Sequence, residues 1–291
     1  MAGILFSIPV HERPDIVRDQ VENIHYFCPD AYIVIHVSDL AAPQIDEFRR
    51  YCDLPKTFVN PKSYETVAGK GILHTHVSNF HHALNMGLDF EKIVLLSSNE
   101  MFVKHGVSEH VNRYRLGAQT EVYDLSTDWH LFRTSMLEDE RVRRVLDRLG
   151  FPVFFGGQAE GQFYDKTIFS LIATLYVENF DMASVGFVVE EMLPPTVAAR
   201  YCMTGSTAAL PITLCDYCTN IAISPENIAQ IIAGVGTLYG RRIPRTLRSP
   251  HVGASVLQDV YSVKRVPREE CDLRTFIRGL RNNPDGVAQT A

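Results

Sequence analysis

Residues 3–38, GILFSIPVHERPDIVRDQVENIHYFCPDAYIVIHVS, decide the fold class. GILFSIPV is a short β-rich run. PDIVRDQVENIHYF follows it with Pro14 in the first helical turn and apolar residues at helical spacing. AYIVIHVS is a second near-continuous apolar strand, and two such strands joined by a helix imply parallel pairing through a right-handed crossover. Working outward, the pattern predicts a helix over Asp46–Cys52, a third strand at TFVN and a helix from Ser78 to Leu88, ended near Gly87. EKIVLLSS is the fourth strand, and it runs into the polar cluster Ser97–Ser98–Asn99–Glu100. Ligands of open α/β sheets sit beyond the carboxyl ends of strands, so this cluster is either part of a site or an ordinary turn.

Further along, LEDERVRRVLDRLG reads as a charged helix stopped by Gly150, and GFPVFFGGQAEGQFY as a binding loop or buried hairpin. Helical patterns recur over 165–182 and 184–203, and SPENIAQIIAGV opens with a Ser cap and a Pro. No repeat or low-complexity linker divides the chain. The expected fold class is α/β, a mostly parallel sheet flanked by helices. It forms one domain over 1–291, with a nucleotide-binding half (1–110), an acceptor and catalytic half (111–240) and a basic C-terminal segment (241–291).

The 291 residues are 46% hydrophobic and 21% charged, with 28 Lys+Arg against 34 Asp+Glu and a net charge of -6. That balance argues against a general nucleic-acid binder. No apolar run of about 18 residues is present, so no membrane span is expected. The start lacks the basic region of a signal peptide, and Cys28, Cys52, Cys202, Cys215, Cys218 and Cys271 are scattered, which together make the cytoplasm the default location.

Metal and phosphate motifs are weak. HTHVSNFHH groups His74, His76, His81 and His82, and LCDYC supplies one CxxC pair, but no second pair at zinc spacing follows. These side chains read as structural, and no metal is expected. GKG at 69–71 and GVG at 234–236 lack the strand-then-helix setting of a phosphate loop, and no GxSxG elbow is present. Glu190 and Glu191, in VVEEMLPPTVAAR, are better candidates. A carboxylate beside such an apolar segment acquires a raised pKa and can serve as a general base, or it merely decorates a helix start. Between Arg241 and Arg281, ten Lys and Arg face four Asp and Glu. Arginine forks there suit diphosphate oxygens; the alternatives are a solvated face or a peripheral contact with anionic membrane.

The motif order FSIPVH, YIVIHVS, VSNFHHALNMGL, IVLLSSNEMFVK, EGQFYDKTIFSLI, EEMLPPT and VYSVKRV resembles the core-2/I-branching β-N-acetylglucosaminyltransferase and peptide O-xylosyltransferase family, particularly its shorter bacterial members. The resemblance covers most of the chain. It implies a GT-A-like, Rossmann-type fold and an inverting, metal-independent glycosyltransferase. The donor is usually a UDP-sugar, the acceptor a glycan hydroxyl, and the product a surface glycan or polysaccharide. It implies Glu191 as general base, with Glu190 if the register slips by one. Lys264 and Arg265, and more weakly Arg248, would hold the leaving diphosphate. Val10, His11, His36 and Ser38 would line the nucleotide pocket, and Glu100, Glu160 and Gln162 would face donor or acceptor sugar hydroxyls. Two departures stand out: Ser38 and Glu100 each replace an Asp of the family pattern. They leave a second reading open, a non-catalytic nucleotide-sugar or glycan-binding protein of the same fold.

Overall fold

The computed structural model describes residues 3–11, 13–66, 71–122, 136–180, 188–215, 223–234 and 257–282. Apolar β-rich runs become β1 (Ile4–Val10), β2 (Tyr32–Val37), β3 (Thr57–Val59) and β4 (Lys92–Leu95). Between them lie α1 (Pro14–Phe27), α2 (Ile45–Tyr51) and α3 (Ile72–Asn85). Helix α3 begins six residues before the expected Ser78, at an N-cap Gly71 in the left-handed region (φ 84). A glycine cap offers no side-chain acceptor to mark the start, and His74 and His76 in the first turns hide the apolar period.

After β4 come β5 (Met101–Phe102), α4 (Val107–Arg113), β6 (Leu116–Gly117), β7 (Glu121–Val122) and α5 (Glu140–Leu149). The stop expected for α5 is present, with Gly150 at φ 74. β8 (Phe155–Gly156), β9 (Phe163–Asp165), α6 (Lys166–Asn179) and α7 (Leu193–Met203) follow. Then come β10 (Ala208–Ala209), β11 (Thr213–Leu214), α8 (Pro225–Ala233), β12 (Ser262–Val263) and α9 (Asp272–Asn282). Ser224 caps α8 as its sequence requires, accepting from the Asn227 N–H.

Among the described residues the main sheet has the order β10-β6-β9-β4-β1-β2-β3. All its pairs are parallel except those of β9, which runs against both β4 and β6. GFPVFFGGQAEGQFY is therefore not a hairpin: β8 pairs with β7 in a separate ribbon, whereas β9 enters the main sheet. Strands from both halves of the chain share that sheet, which makes the architecture mixed α/β with a mostly parallel, helix-flanked sheet.

Strand alternation sorts the core into two layers. Phe6, Ile8, Ile33, Ile35 and Val94 face α1 and α9, while Leu5, Val34, Ile93 and Leu95 face α3, α6 and α7. The chain moves outward from β1 to β2 and β3, then returns to place β4 on the other side of β1. That reversal leaves a crevice above the carboxyl ends of β1 and β4.

Part of the basic tail is structural. Arg274, which has no exposed side-chain area, donates to Asp19 Oδ2 at 2.6 Å, and Arg278 and Arg281 each reach Asp19 Oδ1 at 2.9 Å. These contacts pin α9 to α1. Arg241, Arg242, Arg245 and Arg248 lie outside the described residues. Burial alone would raise the Asp19 pKa, but Arg278, Arg274 and Arg281 outweigh it and hold the carboxyl below its ordinary value. Its contribution to stability is thus present above the ordinary carboxylate range and lost as pH falls through the lowered value. Replacing Asp19 by Ala strands a buried guanidinium, and urea unfolding at pH 7 is expected to show a loss of about 3 kcal/mol. A loss under about 1 kcal/mol would mean that the three arginines do not depend on Asp19 for their placement.

Candidate functional site

The crevice opens into a cavity of about 170 Å³. Pro9 and His11 at the end of β1, Leu96 to Asn99 after β4, and Ile72 and His76 of α3 form its walls, with Glu160, Lys264 and Arg268 from later in the chain. Two-residue strands bring these distant segments together. β12 pairs antiparallel with β5, Ser262 opposite Phe102 and Val263 opposite Met101, and parallel with β11. Lys264 leaves β12 on the side where Glu100 enters β5. Gly161 lets the Glu160 loop close over β11: at φ 74, a Cβ there would lie 2.3 Å from Thr213 Oγ1.

Lys264 is paired with Glu160, and the two side chains are 14% and 12% exposed. Burial lowers the Lys264 pKa, but Glu160 and its other neighbours more than offset this, so the ammonium is held above its ordinary range. Glu100 is buried. Its Oε1 accepts from the Ser97 N–H at 2.6 Å and its Oε2 from the Thr213 hydroxyl at 2.8 Å. Thr213 in turn receives the Ser262 hydroxyl at 2.7 Å. Burial, with Glu160 adding to it, pushes Glu100 up to about 7 against the pull of Lys264 and these hydrogen bonds.

Glu190 and Glu191 occupy a 3₁₀ turn, Val189–Glu191, that leads into α7. The turn is tied to the loop after β8 by Gly157 N–H donating to the Glu191 carbonyl at 3.0 Å. Glu190 is buried, and its Oε1 has no hydrogen-bond partner among the described residues. Burial raises Glu190 to about 7, and it carries Glu191 well above the carboxylate range, with Glu160 and Glu190 adding to the latter shift. Lys264 opposes both shifts, which sets the two carboxyls within its electrostatic reach.

The structure thus brings Glu100, Glu160, Glu190, Glu191 and Lys264 into one electrostatic cluster. Arg265 follows Lys264 in the left-handed region at φ 66, a conformation that costs a non-glycine residue backbone energy and is held by the neighbouring backbone bonds of Lys264 and Val266. His11 is exposed at the cavity. Val10, His36 and Ser38 are fully buried and stand behind the lining. His36 Nε2 accepts from the Tyr64 N–H, and Ser38 Oγ from the Thr66 hydroxyl. Gln162 also points into the protein, its amide engaged by the Gln158 carbonyl and the Tyr164 hydroxyl. Arg248 lies outside the described residues.

The sequence reading gives His76 a structural role and assigns no site role to Arg268, Thr213 or Ser262. Arg268 was detectable, four residues after Lys264 in the basic stretch; Thr213 and Ser262 carried no local signal. Among the described residues no group of three or more His, Cys, Asp or Glu side chains is set to hold a metal ion. No described helix is long and apolar enough to cross a membrane.

No family model matches the chain, and no curated protein sequence matches it. Among solved structures it is similar to the mannosyltransferase PcManGT from Pyrobaculum calidifontis in complex with GDP-Man and Mn2+, at 12% identity and a TM-score of 0.41. That match covers 72% of this chain but 54% of the mannosyltransferase, so the chain spans about half of its length. A nucleoside-diphosphate-sugar pyrophosphorylase from Vibrio cholerae RC9 matches at 8% identity and a TM-score of 0.41, covering 71% of this chain and 90% of its own. A 4-diphosphocytidyl-2C-methyl-D-erythritol synthase from Anaerococcus prevotii DSM 20548 matches at 9% identity and 0.41, covering 78% and 95%.

The two carboxyls near 7 leave a signature in stability. Each has a folded pKa raised from its ordinary 4.5, so each contributes stability below that value and loses it as pH rises towards about 7. Glu100→Gln and Glu190→Gln are expected to gain melting temperature relative to the parent on going from pH 5 to pH 8. A constant difference across that range would show that neither carboxyl is held protonated by the fold.

Proposed function

We propose that this chain is an inverting glycosyltransferase that moves a sugar from a nucleotide-sugar donor, a UDP-sugar by its motif resemblance, to a glycan hydroxyl without a metal ion. The observation that carries the reading is the Lys264–Glu160 pair lining the cavity of the β1/β4 crevice, with the buried Glu190 and Glu191 behind it within reach of the Lys264 charge. Such a site supplies the two things that displacement at an anomeric carbon needs, a base of suitable pKa and a cation for the departing charge.

In this mechanism the acceptor oxygen attacks C1 from the face opposite the diphosphate. A new C1–O bond forms as the bond from C1 to the β-phosphate oxygen breaks, and the leaving diphosphate keeps the electron pair. Glu191 takes the acceptor proton in the fraction of molecules that hold it ionised, since burial keeps its carboxyl well above the ordinary range, and Glu190, pushed up to about 7, is the alternative base. A carboxyl near 7 is half ionised at neutral pH and accepts a proton with little penalty, which is the advantage of the burial at Glu190. Lys264 and Arg268, which line the cavity, neutralise the diphosphate, and Arg265 is the further cation that the motif resemblance implies. Glu160 and Glu100 supply acceptors for sugar hydroxyls, Glu160 exchanging its pairing with Lys264 for the incoming ligand.

The non-catalytic alternative draws on the same ion pair, since Lys264 is already neutralised by Glu160. Turnover separates the two. In the presence of EDTA, donor consumption with a glycan acceptor panel is expected to persist in the parent. It is expected to fall by on the order of 10²–10⁴-fold in Glu191→Gln while donor binding survives. Equal loss in Glu190→Gln and none in Glu191→Gln would move the base to Glu190. Binding without turnover in the parent would leave the non-catalytic reading standing.

A further inference from the structure

A chain of hydrogen bonds buried under α3 reaches the cavity at His76. Asn79 Nδ2 lies 3.0 Å from the Val34 carbonyl and 3.0 Å from Ser7 Oγ. A carbonyl oxygen can only accept, so the amide nitrogen must face Val34. The same amide's oxygen accepts from Asn60 Nδ2 at 3.0 Å, which agrees with that orientation. Both Asn79 N–H bonds are thereby assigned, and Ser7 Oγ receives one of them. The buried Ser7 hydroxyl still has its own proton to place, and among its described contacts His76 Nδ1, 2.8 Å away, is the group that can accept it. With Nδ1 accepting, the neutral ring carries its proton on Nε2. His76 is 3% exposed and lines the cavity that also holds Lys264 and Arg268.

We infer that His76 is a ligand-binding residue, a neutral donor fixed in one tautomer by Ser7 and Asn79, presenting Nε2–H to a phosphate oxygen of the bound nucleoside diphosphate. This inference rests on the nucleotide-sugar reading above and deepens it. Burial is the main cause of the ring's low pKa, about 3, with His36 adding to it and Glu160 opposing. Beside the Lys264 and Arg268 cations, a neutral N–H adds direction without adding charge. An extra positive charge here would bind the product as tightly as the transition state and slow its release. The relay also explains why Ser7 and Asn79, both fully buried, are polar in otherwise apolar layers.

Two measurements test it. Imidazole nitrogen NMR of the full chain between pH 5.5 and 8 is expected to show His76 neutral and protonated on Nε2, with that preference lost in Ser7→Ala. Calorimetric titration of uridine 5′-diphosphate is expected to show affinity reduced about tenfold or more in His76→Leu, and within about threefold of the parent in His76→Gln, whose amide can place a donor where Nε2 stood. Melting curves establish that both variants fold. An Nδ1-protonated or titrating ring overturns the assignment. So does undiminished diphosphate binding by His76→Leu in a protein whose parent binds it, and then the transferase reading stands. A parent chain that binds no nucleoside diphosphate overturns both together.

Discussion

Glu100, Glu160, Glu190 and Glu191 are withdrawn from water within reach of the Lys264 ammonium, and the charge balance of that group is the constraint on everything around it. Buried carboxylates repel one another and lose hydration; the protein tolerates them by pairing one with Lys264 and by pushing the rest towards protonation. An arrangement of this kind costs stability, and a fold keeps it where the charges are used. The surplus negative charge also makes Lys264 hold its proton firmly, so the cation persists across the whole range in which the carboxyls change state.

The scaffold explains how the cluster is assembled. The main sheet supplies the crevice through the reversal between β3 and β4, while the three two-residue strands β5, β11 and β12 bring Glu100 and Thr213 together beneath Lys264, which lines it. The Asp19–Arg274 contact holds α9 against α1, and Arg274 Nε also donates to the Pro267 carbonyl at 2.5 Å. That bond fixes the segment between Lys264 and Arg268, so the arginines deep in the tail support those at the site. Among the described residues, the basic stretch thus divides into a structural part and a part that faces the cavity.

The order β1–α1–β2 was legible because continuous apolar strands and Pro14 state it locally. Glu100, Glu160, Glu190, Glu191 and Lys264 are singled out by motif order alone, and nothing in their spacing reveals that they meet. Thr213 and Glu100 are 113 positions apart, and their contact depends on strands too short to have a period. The role inferred for His76 has no local signal, because it depends on Ser7 and Asn79, buried partners that sequence proximity does not disclose. His36 and Ser38 illustrate the converse. They lie at a strand end, where ligands commonly bind, yet the loop through Tyr64 and Thr66 covers them.

A nucleotide sugar brings a diphosphate diester whose oxygens do not titrate near neutrality, so any proton exchanged on binding belongs to the protein. Adding that negative charge beside carboxyls already poised near 7 raises them further and leaves the base role to the fraction still ionised. Calorimetry of a UDP-sugar at pH 7 in EDTA, in buffers of different ionisation enthalpy, measures the exchange directly. Net proton uptake that disappears in the Glu190→Gln Glu100→Gln double variant is the result this account requires; binding with no proton uptake, or no binding, would contradict it.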